Sequence, residues 1–396
     1  MRKSLFRTLE IIVLILAGGL AGARAQDDVV LKAMRDEMAR TMKQLQLENL
    51  QKPYFVAYEV RDLDTATVAA TLGALTSSEN NHSRWLSVQV RVGDYNLDNT
   101  NFVSMSGFAA AGVMRGFGNM AQLPLGDDYR EIRRQIWLAT DGAYKKAVQD
   151  LARKRAALEN KTRGEEIPDF SKEAVYNGSG KPASTGFDSK RAEDFAQKLS
   201  ASFRGVAGIQ RSSVSMVEVN EYSRYLNSEG TEFTRATPYV GLTATARAQA
   251  SDGLPLSDGI AAYAHSMNEL SFDQLAGRVR EMEDRLTKLM AAPLVARYIG
   301  PVLFEGQASA EIFAQAFVPK LVASRRPIAD NPAFEMIFSR AQSPFQERIG
   351  ARVLPDWASL TDDATVADYQ GQALLGSYAV DDEGVRAGKT SLVENG

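Results

Sequence analysis

The run 86–92, Leu-Ser-Val-Gln-Val-Arg-Val, alternates apolar and polar residues at a period of two, a pattern that a helix cannot gather onto one face. It calls for a strand with one side in a core and the other toward solvent. Segments 54–60 and 67–75 carry the same strand character, so an antiparallel meander is expected over 54–92, with a polar turn at 77–82. Further strands are expected at 209–220, 224–226 and 233–248, with a turn at Asn227-Ser228-Glu229-Gly230.

Helical spacing interrupts these strands. Val30, Met34, Met38, Met42 and Leu45 form a stripe over 27–49, which is core packing rather than a set of ligands. Ile132, Ile136, Thr140, Tyr144, Val148 and Leu151 mark a long helix that starts at Asp127 and Asp128 and ends near 161–164. Its basic triplet, Arg153-Lys154-Arg155, is expected on a solvated face. A polar connector over 164–189 precedes a short helix carrying Phe195, Leu199 and Phe203, and a further helix is expected over 270–290. The fold class is therefore α+β.

With 44% hydrophobic and 24% charged residues in 396, the chain is long enough for two or three folded domains. A net charge of −3 gives no general attraction to nucleic acid or anionic lipid. The count of 0 Cys excludes disulfides, thiolate ligands and thiol nucleophiles. Arg2, Lys3 and Arg7, the apolar run 11–17 and Ala23-Arg24-Ala25 before Gln26 read as a secretory signal peptide over 1–25. A retained anchor is the alternative, but the run falls short of the roughly 20 residues that span a bilayer. The mature chain is expected to be exported, periplasmic or extracellular, with no stable membrane span.

The glycines of 107–118 follow no phosphate-cradling pattern and read as a flexible loop, or as a flap. At 300–321 an apolar strand, 301–304, is expected to feed a helix over 309–317. Glu305 would cap that helix, Ile312, Phe313 and Phe317 would form its apolar side, and Glu311 and Gln315 would share another face. The two histidines, His82 and His265, are isolated and make no zinc pattern. Asp381-Asp382-Glu383 reads as a polar turn between strands in preference to a hard-cation site.

The hexapeptide Ala310-Glu311-Ile312-Phe313-Ala314-Gln315 resembles the helix of the TldD/PmbA metallopeptidase family, whose TldD members carry H-E-x-x-x-H there. Three other places resemble the same family: Tyr54-Phe55-Val56-Ala57-Tyr58 with the stretch 90–102, Tyr225-Leu226-Asn227-Ser228-Glu229-Gly230-Thr231, and 376–387 with Leu392-Val393-Glu394-Asn395-Gly396. The resemblance implies an N-terminal α+β domain over 26–265 and a β-rich C-terminal domain over 266–396, the latter incomplete because the family continues through more β structure. It implies Glu311 as the general base, while Ala310 and Gln315 replace both histidine ligands. No metal is therefore expected in this chain. The resemblance further implies a non-catalytic, TldE-like subunit that pairs with a zinc-bearing TldD-like peptidase acting on unfolded peptides. The alternatives are an active metallopeptidase with non-standard ligands, and a peptide-binding or assembly protein without a protease partner.

Overall fold

The computed structural model describes residues 28–103, 120–159, 167–295, 297–322, 325–331, 333 and 343–396. The signal-peptide segment and the glycine loop 107–118 lie outside the described residues. Among the described residues no helix is long and apolar enough to cross a membrane.

The methionine stripe folds as α1 (Val29–Gln44), whose N-cap Asp28 accepts the Leu31 amide proton at 3.0 Å. Two strands of 19 residues follow, β1 (Pro53–Thr71) and β2 (Ala74–Val92), joined as one antiparallel hairpin. The expected turn at 77–82 is overturned: Asp64 pairs with His82 and Ala69 with Ser77 inside the ladder. The chain reverses instead at Leu72 and Gly73, where φ is 49° and 78°, the two left-handed positions of a tight hairpin. Residues 77–82 tolerate polarity because among the described residues they border no further strand, and they face water.

Beyond the short β3 (Phe102–Val103) and β4 (Met120–Gln122), the long helix α2 (Tyr129–Leu158) is capped by Asp128. Then come β5 (Asn177–Ser179), α3 (Ser189–Ser200), β6 (Arg211–Asn227), β7 (Glu232–Gln249), β8 (Pro255–Ala264) and α4 (Phe272–Ala291). The two strands expected at 209–220 and 224–226 are one strand, β6, and β8 was not expected at all. The sheet runs β4-β2-β1-β6-β7, with β5 and β8 both on the far edge of β7.

Strand alternation sends even-numbered residues of β1 toward the helices, where two apolar cores form side by side. Val56, Tyr58, Val60, Leu86, Val88 and Leu226 pack with α1 and α2. Val68, Ala70, Val214, Met216, Leu242 and Ala244 pack with α3 and α4. Each fully buried Val, Leu or Met contributes about 1.5–3 kcal/mol, upper figures that chain entropy offsets.

A belt of ions, buried at Asp62, Arg84 and Arg224, separates the two cores. Asp62 accepts from Arg84 on β2 and from Arg224 on β6, the latter at 2.6 Å, and Arg224 also reaches Asp28. Arg84 continues the belt to Asp127 at 2.9 Å. Burial pushes the Asp62 carboxyl up, but the two guanidinium groups outweigh it and hold the carboxyl below its ordinary value.

Lys154 corrects the solvated-face expectation. It is fully buried and donates to Asp169 at 2.6 Å and to the Thr100 carbonyl at 2.7 Å. A carboxylate carried by the connector balances its charge, which is the condition for burying a lysine.

The stretch after α4 is built differently. No strand forms at 301–304: Pro301 has no amide to donate, no neighbouring strand pairs with the segment, and Val302 and Leu303 are 61% and 82% exposed. Helix α5 begins at Gly306–Ile312, widens into a π turn at Phe313–Phe317 and ends as Val318–Leu321. Glu305 stands at its N-cap, yet its side chain makes no capping bond. No residue of α5 is buried; Phe313 stacks on Phe317 at 5.2 Å, and Phe317 meets Phe345 edge-on. Short pairs complete this part: β9 (Ile328–Ala329) with β3, β10 (Leu360–Asp363) with β13 (Lys389–Val393), and β11 (Asp368–Tyr369) with β12 (Gln372–Ala373).

Candidate functional site

Three of the family-like segments, distant in sequence, meet on the face of the sheet opposite α1–α4. Phe55 and Ala57 of β1, Tyr225 of β6, Phe233 of β7 and Val380 form one small core there. Arg235 donates to the Val380 carbonyl at 2.8 Å and pairs with Asp382, which Arg61 of β1 also approaches at 3.3 Å. Asp381 accepts the amide protons of Glu383 and Val385, both at 2.9 Å, so the acidic run is the polar turn that its sequence suggested. Gly384 adopts φ +87°, and a Cβ on it would lie 2.6 Å from the Thr231 methyl. The turn therefore docks on the β6–β7 hairpin at a distance only glycine permits.

The loop after β2 is fixed by one buried carboxylate. Asp98 accepts from the Tyr54 hydroxyl and Arg91, each at 2.8 Å, and from the Thr100 amide and hydroxyl, both at 2.7 Å. Burial pushes the Asp98 carboxyl up, and its donors outweigh that and hold it below the ordinary range. Burial, then the bond to Asp98, raises the Tyr54 hydroxyl. Arg91 lies over the Phe170 ring at 3.8 Å, tying the connector to the same place. These residues build the scaffold; none is free to react.

Between this loop and the acidic turn lies a cleft of about 440 Å³, with Glu59, Gln89, Tyr225, Asp382 and Glu383 on its walls and Lys146 and Asp150 on α2 beside it. Burial raises the Glu59 carboxyl, with Arg61 opposing at 2.7 Å, and burial pushes Tyr225 up to about 12.

Glu311 stands elsewhere, on exposed α5. It lines a wide cleft of about 930 Å³ with Glu305, Gln307, Arg278, Glu281 and Arg285, facing β7 and β8. Its carboxylate accepts from the Gln307 amide at 2.7 Å, one helical turn back, and not from Gln315. The residues beside it do not fit zinc. Ala310 offers no lone pair, Gln315 offers an uncharged amide, and no group of three ligating side chains exists among the described residues. His82 pairs with Asp64 across β1 and β2, and exposed His265 sits 3.5 Å from the Pro238 carbonyl. Neither lines the cleft that holds Glu311.

Sequence reasoning misplaced Lys154 and passed over Glu59, Arg61 and Arg235. Lys154 carried a signal, since it extends the buried series Tyr144, Ala147, Leu151 by one further helical step. The other three lie on a strand face that reads as solvated until the C-terminal turn covers it.

Comparison with known proteins agrees with this architecture. Residues 181–288 match the PmbA/TldA metallopeptidase central domain and residues 297–396 match the PmbA/TldA metallopeptidase C-terminal domain, together more than half of the chain. The fold and these matches define a metallopeptidase-family protein of mixed helix and antiparallel sheet. The chain belongs to the TldD/PmbA family.

A metalloprotease of Methanothermobacter thermautotrophicus is 27% identical over 195 residues, 48% of this chain and 38% of that protein. A metalloprotease of Methanocaldococcus jannaschii is 41% identical over 54 residues, 14% of this chain and 11% of its own. The matched region thus spans well under half the length of either relative. Among solved structures, a Thermotoga maritima protein described as a candidate modulator of DNA gyrase aligns with a TM-score of 0.56 at 14% identity, covering 92% of this chain and 68% of that one. TldE of Thermococcus kodakarensis aligns with a TM-score of 0.50 at 11% identity over the same shares, 92% and 68%. At such identities the likeness is one of fold.

Proposed function

We propose that this chain is an exported, non-catalytic, TldE-like subunit that pairs with a zinc-bearing TldD-like peptidase and presents unfolded peptide to it. The observation that carries the reading is the replacement of both expected ligands around Glu311 by Ala310 and Gln315, with the Gln307 amide bonded to the carboxylate. The zinc then belongs to the partner, and Glu311 has no metal-bound water to deprotonate. Export rests on the basic start, the apolar run and Ala23-Arg24-Ala25.

The test is to purify the mature chain, measure its zinc and assay cleavage of an unfolded protein with and without a TldD-like peptidase from the same cells. The expected result is a zinc-free, inactive chain that co-purifies with the peptidase, whose activity a chelator abolishes. Near-stoichiometric zinc, with cleavage lost in Glu311→Gln, would overturn the proposal in favour of an active metallopeptidase with non-standard ligands. A metal-free chain that binds peptide and recovers no peptidase would favour a solitary peptide-binding or assembly protein. Amino-terminal sequencing of the exported chain should begin at Gln26.

A further inference from the structure

We infer that the face of the sheet opposite α1–α4 holds a subsite for a cationic side chain, lysine or arginine, of an extended peptide, built from Tyr239, Tyr263 and Glu221. The register sets these residues along one face, with Tyr239 between Tyr263 and Glu221. Val219 on β6 pairs with Tyr239 on β7, Glu221 pairs with Thr237, and Gly241, two residues beyond Tyr239 on the same face, pairs with Tyr263 on β8.

Gly241 explains the attitude of the tyrosine. A Cβ there would sit 2.9 and 3.0 Å from atoms of the Tyr263 ring and 3.2 Å from a Val217 methyl. The ring therefore lies across the glycine backbone instead of standing up from the sheet, and Tyr263 remains 56% exposed. The result is a flat aromatic surface open to solvent on a rigid strand. Tyr263, Tyr239 and Val219 line an open hollow of about 420 Å³ with Glu221 and Thr237, and Leu375 and Gly376 of the C-terminal stretch border it.

Charge decides which ligand suits it. Glu221 is approached by Arg61 at a distant 3.9 Å, while Arg61 gives its closer contacts to Glu59 and Asp382. Asp382 also pairs with Arg235, so three carboxylates face two guanidinium groups in this cluster and one negative charge is left over. A cation in a hollow walled by two tyrosines and an under-compensated carboxylate is favoured on both counts. A neutral aliphatic side chain gains only contact area, and an anion meets repulsion. The reading stands whether or not a zinc-bearing subunit pairs with the chain.

The test uses the isolated mature chain and calorimetric titration with a blocked peptide alternating glycine and lysine, against the same peptide with norleucine in place of lysine. The lysine peptide should bind about tenfold more tightly than the norleucine peptide, from the cation–π and ion-pair contributions together. Tyr263→Phe keeps the ring over Gly241 and should leave the lysine affinity within about twofold. Tyr263→Leu keeps an apolar cover and should weaken it about two- to fivefold. Glu221→Gln is isosteric, should leave the melting temperature unchanged and should weaken lysine binding about two- to fivefold without touching the norleucine peptide. Equal affinity for the two peptides, tighter binding of norleucine, no binding of lysine, or indifference to Glu221→Gln would each overturn the proposal.

Discussion

Helices α4 and α5 lie close together in sequence, and they show two opposite fates of an apolar stripe. Leu275, Val279, Met282 and Leu286 of α4 are all buried against β8 and α3, and Ser271 caps the helix. Ile312, Phe313 and Val318 of α5 are exposed, Glu305 makes no cap bond, and the helix is widened by a π turn. Periodicity thus specifies that a helix has a side to hide, whereas the sheet in front of it decides whether anything is gained. The body from α1 to α4 has that sheet. The stretch 293–322 meets β7 and β8 only across an open cleft.

The largest expected contrast is kinetic. Limited proteolysis should cut within 293–305 at least about a thousandfold faster than within β1, β6 or α4, because local opening there costs far less than global unfolding. Mass spectrometry of the first fragments checks this, and first cuts inside the sheet would break the contrast. Next, Asp62→Ala strands two buried arginines and should cost about 3–5 kcal/mol in urea unfolding. Asp62→Asn, which keeps hydrogen-bonding capacity, should cost less.

Acid should act on the body in the same sense. Asp62 and Asp98 both titrate below their ordinary value of 3.8 in the folded chain, so the unfolded chain takes up protons first as pH falls. Their stabilising contribution is complete above that value and is lost as pH falls through the lower, folded values. Melting temperature should therefore drop below about pH 4, and Asp98→Asn should flatten the drop. The smallest effect is expected at Phe313→Ala, within about 0.5 kcal/mol, whereas Leu242→Ala in the sheet should cost about 2–5 kcal/mol. A large effect at Phe313 would mean that α5 is covered in solution.

Much of the body could be read from the sequence because its signals are local. The stripes of α1, α2 and α4, the Asp128 cap and the alternation in β2 each depend on residues within a few positions of one another. Failures occurred where the deciding partner was remote. Residues 77–82 looked like a turn because their ladder partners are 64–69, and nothing nearby announces that they pair. Lys154 looked solvated because Asp169 comes from the connector. Strand 301–304 looked buried because apolar residues were taken to imply a cover. At the candidate site, the substitution of both ligand positions around Glu311 was plain in the sequence, but the Tyr263 ring over Gly241 was not, because β8 itself went unread.

The ion belt also sets an order of assembly. Asp62 and Arg84 sit in one hairpin, which such chains close in about 1–10 μs, but Arg224 is 162 residues from Asp62 and must cross a long loop to join them. Until it arrives, Asp62 lacks its second guanidinium partner and the strand that will receive β6 keeps an open hydrogen-bonding edge. Capture of β6 is then the slow step of folding, and while it is pending the hairpin of one molecule can pair with the same edge of another. Concentration during refolding should therefore govern how much native protein is recovered.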